Sequence, residues 1–189
     1  KQGVVDLWLN GDSHLKRIIF APHHTIPKKD SVIHLSTFML YYKDMLVLAK
    51  KYTKQIQIIF RPHPELKIHL SDELIWGKEK TELYYNEWRN LENGQLYEGA
   101  NYVDLFLTSD AMIHDCGGFA AEYLYTNKPV MFLANNHPMS QLNPVGLMAH
   151  KCHYYGYNVE DIENFISEVV IKGKDILKGQ REQFKQKIL

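Results

Sequence analysis

The sequence predicts an α/β protein whose sheet is mainly parallel. Short apolar runs alternate with segments of helical periodicity along a chain of 189 residues, which is the pattern of strand–helix–strand units. The clearest unit lies at residues 104–133, where an apolar run breaks at Gly117-Gly118, a helical pattern follows, and Asn127-Lys128-Pro129 stops it before another apolar run. In a parallel sheet, such a turn lies at the carboxyl end of a strand, where ligands bind.

The other elements follow the same alternation. Residues 16–21 and 56–60 predict buried strands, and a helix capped by Ser36 is predicted between them. About five strands fit the whole pattern. The remaining predictions are two helices within 65–92 separated near Trp76-Gly77, a strand at 95–97, a loop at 134–144, a short helix at 145–150, a strand or aromatic loop at 153–157, and helices at 159–171 and 175–189.

Composition limits the classes of function. The 22 basic and 22 acidic residues balance, so the charge gives no reason to expect a nucleic-acid partner. The two cysteines form no metal-binding or disulfide pattern and favour a reducing compartment. No apolar run is long enough to span a bilayer, and no phosphate-loop, dinucleotide or serine-hydrolase motif occurs. We expect residues 1–15 to be a lead-in or interdomain segment and 16–189 to be one domain.

The Gly117-Gly118 turn is open to two interpretations. Glycines at the start of a helix leave backbone N–H groups uncovered, and the helix dipole adds positive charge, so a phosphate fits against Gly117, Gly118 and Phe119. Alternatively, Asp115 is only a helix N-cap and the glycines only a tight connection. Glu122 is either an acceptor for ribose or glycerol hydroxyls or a solvated acid that complements the dipole.

His23, His24 and Thr25 lie in the loop after the first predicted strand. We do not expect a metal centre there, because no third ligand has a recognisable spacing and neighbouring histidines rarely bind one ion together. Two interpretations remain for the histidines. They form charge-assisted hydrogen bonds to phosphate, or they are ordinary loop residues that cap backbone groups.

Arg61 and His63 follow the strand at 56–60, and two flanking prolines hold the imidazole of His63 on a stiff extended loop. A guanidinium fork and a second donor at the carboxyl edge of the sheet favour an anionic ligand. The structural alternative is that Arg61 pairs with a neighbouring carboxylate and His63 stabilises the loop. His114 lies inside a strand pattern and is predicted to be a core histidine.

Together these motifs resemble the carboxyl-terminal domain of CDP-glycerol glycerophosphotransferases, the teichoic-acid and capsule polymerases of glycosyltransferase-B architecture. The resemblance covers residues 16–133. It rests on Arg61-Pro62-His63-Pro64, on the segment 104–115 with its small-residue turn, on Glu122 and on Asn127-Lys128-Pro129. It implies a Rossmann-like parallel sheet with flanking helices and transfer of glycerol phosphate from CDP-glycerol to a cell-wall or capsular polymer, without a cofactor or metal.

The resemblance also assigns roles to residues. It implies that His63, together with Arg61, is catalytic and contacts the donor phosphates. The residues that it implies for donor binding are His23, His24, Thr25, Asp115, Cys116, Gly117, Gly118 and Glu122. Phe119 joins them through its uncovered backbone N–H at the start of the helix.

The sequence departs from the family in two places. The family's paired serines correspond to Gly117 and Gly118, so backbone N–H contacts replace hydroxyl contacts, and the loop of His23 and His24 lacks the family's arginine. CDP-ribitol and nucleotide sugars therefore stay open as donors, and a non-catalytic α/β binding module is the alternative to an enzyme.

The family's amino-terminal domain, which supplies the acceptor site and catalytic base, has no counterpart in this sequence. We therefore expect a fragment that binds donor without turnover. The resemblance implies a full enzyme that is cytoplasmic, with peripheral association at the inner face of the cell membrane.

Overall fold

A computed structural model describes residues 3–9, 14–27, 35–134 and 143–188. Most of the loop predicted at 134–144 lies outside the described residues. The described elements are, in chain order, β1 Lys16–Ala21, α1 Phe38–Lys51, β2 Ile56–Phe60, α2 Pro64–Leu70, α3 Gly77–Asn90, β3 Gly94–Leu96, α4 Tyr102–Thr108, β4 Ala111–His114, α5 Phe119–Glu122 with a 3-10 turn Tyr123–Thr126, β5 Val130–Leu133, α6 Pro144–His150, β6 Tyr154–Gly156, α7 Val159–Asn164 with a π-helical continuation Phe165–Ile171, and α8 Lys178–Ile188.

The described strands form one parallel sheet in the order β3-β2-β1-β4-β5-β6, which confirms the predicted α/β class. The sheet has six strands rather than about five, because the short aromatic segment at Tyr154–Gly156 pairs with β5. β1 lies in the centre, with Phe20 in register with Phe60 of β2 and Ala21 in register with His114 of β4. The chain leaves β1 first toward β2 and later returns to β4, so a crevice is expected at the carboxyl ends of β1 and β4.

Alternate side chains of the strands enter two separate cores, one on each face of the sheet. Ile18 and Phe20 of β1 face the core that is covered by α1, α2, α3 and α7. Ile19 and Ala21 face the opposite core, which is covered by α4, the turn after α5, and the buried part of α8. The first core is rich in aromatic rings, and Phe60 stacks on Trp88 with 5.3 Å between ring centroids.

Two helix ends can be compared with the predicted N-cap at Ser36 and the predicted stop at Asn127-Lys128-Pro129. α1 begins one residue later than the predicted cap would place it: Thr37 occupies the N-cap position, and Ser36 Oγ instead accepts the N–H of Phe38 at 3.2 Å. The helical segment after Gly118 ends at Asn127, whose left-handed φ of 58° satisfies the predicted stop before β5.

Part of the predicted lead-in packs against the domain. The indole of Trp8 is buried and donates to Thr108 Oγ1 at 3.1 Å, and Asp6 pairs with Arg17 at 2.9 Å. The boundary at residue 15 stays a prediction. Among the described helices, none combines the length and apolarity that a membrane crossing requires.

Candidate functional site at the carboxyl edge of the sheet

The loops that follow β1 and β2 lie side by side. The backbone N–H of Arg61 donates to Phe20 O at 2.8 Å, and that of His63 donates to Pro22 O at 3.0 Å, which continues the strand pairing into the loops. The ring centroids of His24 and His63 are 4.2 Å apart as a result. The two histidine segments therefore converge, as the parallel-sheet argument predicts.

Asp115 ties a third segment to this pair of loops. Its Oδ1 accepts the backbone N–H of His23 at 2.5 Å, while Oδ2 accepts the N–H and the hydroxyl of Thr37 at 2.5 and 3.0 Å. The side chain is 1% exposed, and burial raises the pKa of the carboxyl, opposed by the hydrogen bonds from Thr37 and His23. Asp115 therefore acts on the site by holding the loop of His23 and the start of α1.

The imidazoles of His23, His24 and His63 form a compact cluster, with centroids 4.3 Å apart for His23–His24 and 5.4 Å for His23–His63. Burial, followed by the neighbouring imidazoles, lowers the pKa of His23 to about 4. Burial and then His24 also lower the pKa of His63. The lowered pKa values favour the neutral form of both rings, so a bond from either ring to a phosphate would be charge-assisted through the acceptor alone.

Local hydrogen bonds decide which nitrogen of each neutral ring carries the proton. Nδ1 of His63 accepts the N–H of Glu65 at 3.2 Å and so caps α2. Nδ1 of His23 accepts the N–H of Thr25 at 3.3 Å and lies 2.9 Å from the Thr25 hydroxyl. In each neutral ring the proton is then on Nε2, which is free to donate to a ligand. Thr25 orients His23 in this way, and its Oγ1 also accepts the N–H of Leu35 at 3.1 Å.

The guanidinium of Arg61 lies against two aromatic rings, a contact that was not predicted from the sequence. Its guanidinium carbon lies 4.9 Å from the ring centroid of Phe119 and 5.5 Å from that of Tyr102. Its Nε is buried and has no hydrogen-bond partner among the described residues, and within the same residues Arg61 forms no ion pair with a carboxylate. Burial lowers the pKa of the guanidinium, which still remains charged at pH 7. The predicted structural alternative, a salt bridge of Arg61, is thus not found in the described part of the chain.

The glycine turn is exposed and uncrowded. A side chain at Gly117 or Gly118 would meet no atom within 4 Å, and neither residue has a positive φ. The Cys116 thiol lies beside the N–H groups of Phe119 and Gly118, but burial dominates and raises its pKa. The glycines therefore leave space for a ligand, although neither the backbone conformation nor packing requires them.

A cavity of about 570 Å³ opens next to Arg61 and His63. Its volume is in the range of small-molecule sites. Its other polar lining was not predicted from the sequence and includes Lys67, Lys78, Asp72, Glu98, Tyr85 and Tyr97. The cavity lies toward β3, and Gly117 and Gly118 are not part of its wall. Arg61 links the two regions, because it lines the cavity while its guanidinium contacts Phe119 after the turn.

Two other predicted residues lie close to this centre. Glu122 is exposed one turn after Phe119, and its charge acts on Arg61 in the direction that raises the guanidinium pKa. His114 is fully buried in β4, with Nδ1 3.0 Å from Cys116 O, and burial keeps its pKa well below the usual value. His114 is a core histidine, as the strand pattern predicts.

His24 has two further side chains with potential metal ligands beside it. Potential ligand atoms of His24, Glu65 and His69 all lie within 4.8 Å of one another. These neighbours were not expected from the sequence, because they come from the next strand–helix connection rather than from a local motif. His23 is not part of this group, and the expectation that the histidine pair forms no metal centre stays a prediction.

No protein-family model and no curated protein matches the chain. Solved structures do match. The UDP-GlcNAc 2-epimerase from Neisseria meningitidis, bound to UDP-GlcNAc, has a TM-score of 0.56 at 16% identity, over 89% of this chain and 39% of that one. A histidine variant of the wall teichoic acid polymerase TagF has a TM-score of 0.55 at 17% identity, over 92% of this chain and 39% of that one.

A third match is the Methanocaldococcus jannaschii UDP-GlcNAc 2-epimerase in complex with UDP-GlcNAc and UDP. It has a TM-score of 0.53 at 18% identity, over 84% of this chain and 40% of that one. This chain thus spans about two fifths of the length of the structures that it matches. At these identities the likeness establishes the fold: a Rossmann-like α/β domain of the glycosyltransferase-B type.

Proposed function

We propose that this chain is the nucleotide-donor-binding domain of a transferase of glycosyltransferase-B type, with CDP-glycerol as its donor. The observation that carries the proposal is Arg61, whose buried Nε has no partner among the described residues and whose guanidinium is held against Phe119 and Tyr102. Burying a charged donor without an acceptor is costly. A diphosphate beside Arg61 supplies the missing acceptor and matches the geometry of a guanidinium fork.

The surroundings of Arg61 support the same ligand. The adjacent cavity of about 570 Å³ suits a nucleotide, and His63 lines it beside Arg61. Lys67 and Lys78 add positive charge to a wall that also carries the acids Asp72 and Glu98, and Lys67 pairs with Glu82 at 2.7 Å. The choice of CDP-glycerol rests on the sequence resemblance to glycerophosphotransferases, and the structural likeness to TagF agrees with it.

In the proposed reaction, an acceptor hydroxyl attacks the β-phosphorus of CDP-glycerol, the bond to the bridging oxygen breaks, and CMP leaves. Arg61 and the Nε2–H of His63 stabilise the negative charge that develops on the diphosphate. The Gly117-Gly118 turn leads into Phe119, whose ring contacts Arg61, and its backbone N–H groups would extend the anion site, while Asp115 positions His23. A polymer acceptor and its general base belong to a second domain of the full enzyme.

Calorimetric titration with CDP-glycerol, CMP and UDP-GlcNAc tests the proposal. We expect CDP-glycerol to bind more tightly than UDP-GlcNAc, and Arg61→Met and His63→Ala to weaken binding by at least about tenfold each, which corresponds to about 1.4 kcal/mol. Lys54→Met is the matched control. It removes an exposed charge just before β2, at the amino-terminal ends of the strands and away from the candidate site.

Each outcome has a defined meaning. Binding that is equal in wild type and in both site variants would place the nucleotide elsewhere and overturn the assignment. Tighter binding of UDP-GlcNAc would replace the donor with a nucleotide sugar, as in the epimerase structures. No binding of any nucleotide at millimolar concentration would favour a non-catalytic α/β module.

A further inference from the structure

Behind the histidine cluster, three side chains with metal-binding atoms meet between the β1 loop and helix α2. The Nδ1 atom of His24 lies 3.2 Å from Oε2 of Glu65, and the potential ligand atoms of His24, Glu65 and His69 are all within 4.8 Å of one another. Two ligands of one tetrahedral zinc ion are about 3.3 Å apart. The pair His24–Glu65 already has that spacing, and a potential ligand atom of His69 lies within 4.8 Å of both.

The two ligands on α2 have a spacing that suits a shared ion. Glu65 and His69 are four residues apart on one helix, so both side chains lie on the same face. Pro64 starts this helix, and the capping bond from the Glu65 N–H to His63 Nδ1 fixes its first turn. The helix thus presents a carboxylate and an imidazole to the loop that carries His24.

His69 is oriented as metal-bound histidines commonly are. Its Nδ1 lies 3.0 Å from the backbone oxygen of His24, and only a protonated Nδ1 can donate to a carbonyl. The lone pair of the neutral ring is then on Nε2. Bonds of this kind from the second ring nitrogen fix the tautomer of metal ligands and raise their basicity.

His24 itself has an unused ligand atom. Its Nδ1 is buried and has no hydrogen-bond partner among the described residues, apart from the facing carboxylate of Glu65. Its ring also lies 4.2 Å from that of His63 and 5.3 Å from that of His69, so several imidazoles are crowded into one small region.

We propose that His24, Glu65 and His69 bind a divalent transition-metal ion, with Zn²⁺ as the best match. Two imidazole nitrogens and one carboxylate oxygen are borderline donors that suit Zn²⁺, whereas Mg²⁺ and Ca²⁺ prefer oxygen ligands alone. Three protein ligands leave at least one coordination position open, which is typical of sites where zinc also binds an exogenous ligand. The ion would lie beside His63, at the edge of the proposed phosphate site.

The test is a zinc titration in competition with a chromophoric chelator, using protein freed of any affinity tag. We expect one Zn²⁺ per wild-type chain and an affinity at least about tenfold lower in His69→Ala and in Glu65→Gln. The matched controls are His14→Ala, an exposed histidine before β1 at the opposite edge of the sheet, and Glu79→Gln, an exposed acid on α3. Both controls should bind within about twofold of wild type.

Co²⁺ provides a second measurement in the wild-type chain, because its visible absorption reports the donor set and geometry. We expect a spectrum of nitrogen and oxygen ligation that Zn²⁺ abolishes at one equivalent. Absence of saturable zinc binding to the wild type overturns the proposal, and so does equal weakening by His14→Ala and His69→Ala. The titration contains no nucleotide, so its failure and a failure of the donor assignment are separate results.

Discussion

Asp115 accepts a hydrogen bond of 2.5 Å from the backbone N–H of His23, a residue 92 positions earlier in the chain. The same carboxylate accepts the N–H of Thr37 at the start of α1. One buried side chain therefore fixes the end of β4 against the loop after β1 and the helix that follows it. The carboxylate satisfies backbone donors that would otherwise be buried without partners.

Replacing this carboxylate should destabilise the fold. Asp115→Ala leaves two backbone N–H groups and the Thr37 hydroxyl without their acceptor, and we expect the free energy of unfolding to fall by about 2–5 kcal/mol. Asp115→Asn keeps one acceptor oxygen and should lose less. Urea denaturation measures both, with Glu79→Ala as the exposed acidic control. A loss below about 0.5 kcal/mol in Asp115→Ala would show that the loops do not depend on this anchor.

Acidification should destabilise the protein through its buried histidines. Burial lowers the pKa of His153 from 6.5 to about 3, so between these values the unfolded chain binds a proton that the folded chain does not. The contribution of His153 to the free energy of unfolding is therefore fully present above pH 6.5, and it decreases as the pH falls from 6.5 toward 3. From pH 7 to pH 5 this one ring should account for about 2 kcal/mol.

The check is the difference in unfolding free energy between pH 7 and pH 5, measured for wild type and His153→Phe. The variant should show a difference about 2 kcal/mol smaller, whatever its absolute stability. Leu40→Ala supplies the control, because it changes an exposed position that carries no titratable group and should leave the difference unchanged. If this pH-dependent difference in unfolding free energy is the same in wild type and His153→Phe, then folding does not lower the pKa of His153.

An alanine at Gly118 should separate stability from ligand binding. Its backbone is already helical, and an added Cβ meets no atom within 4 Å, so we expect unchanged stability or a gain of up to about 1 kcal/mol. If a phosphate rests on the turn, the methyl group obstructs it, and nucleotide affinity should fall about tenfold. Thermal denaturation and calorimetric titration of Gly118→Ala measure the two effects. Unchanged affinity would confine the phosphate to Arg61 and His63.

Cys116 offers a chemical probe of the same place. Burial raises the pKa of its thiol, so its alkylation by iodoacetamide at pH 8 should be several-fold slower than that of free cysteine. The measurement uses a Cys152→Ala background, in which Cys116 is the remaining cysteine. Denaturant should restore the normal rate, and nucleotide should slow the native rate further. A native rate equal to that of free cysteine would contradict the burial of this thiol.

The fold and the meeting of the loops could be predicted from the sequence, because both follow from one rule. Strands that alternate with helices form a parallel sheet, and the loops after β1, β2 and β4 must then share an edge. This is why the positions of His23, His63 and Asp115 could be anticipated without coordinates. The sixth strand was uncertain, because three residues carry too little periodicity to separate a strand from an aromatic loop.

What the sequence could not provide were contacts between side chains of different segments. The two rings against Arg61 come from Tyr102 and Phe119, which precede and follow β4, and no local pattern joins them. The two side chains that accompany His24 in the proposed metal site could have been paired from the sequence, since Glu65 and His69 have the i, i+4 spacing of two metal ligands on one helix. The third ligand comes from another loop, and only the register of β1 with β2 brings it there.

The central position of β1 has a consequence for biosynthesis. Among the described strands β1 is synthesised first, yet one of its two neighbours, β4, is synthesised about 90 residues later, after several local elements have formed. Until Asp115 has emerged, the segment of His23 has its contacts with the β2 loop and α2 but lacks the carboxylate that accepts the His23 N–H. A nascent chain therefore acquires its ligand-binding edge only late in translation, and a shorter translation product that retains every histidine from His23 to His69 would still lack the anchor that orders them.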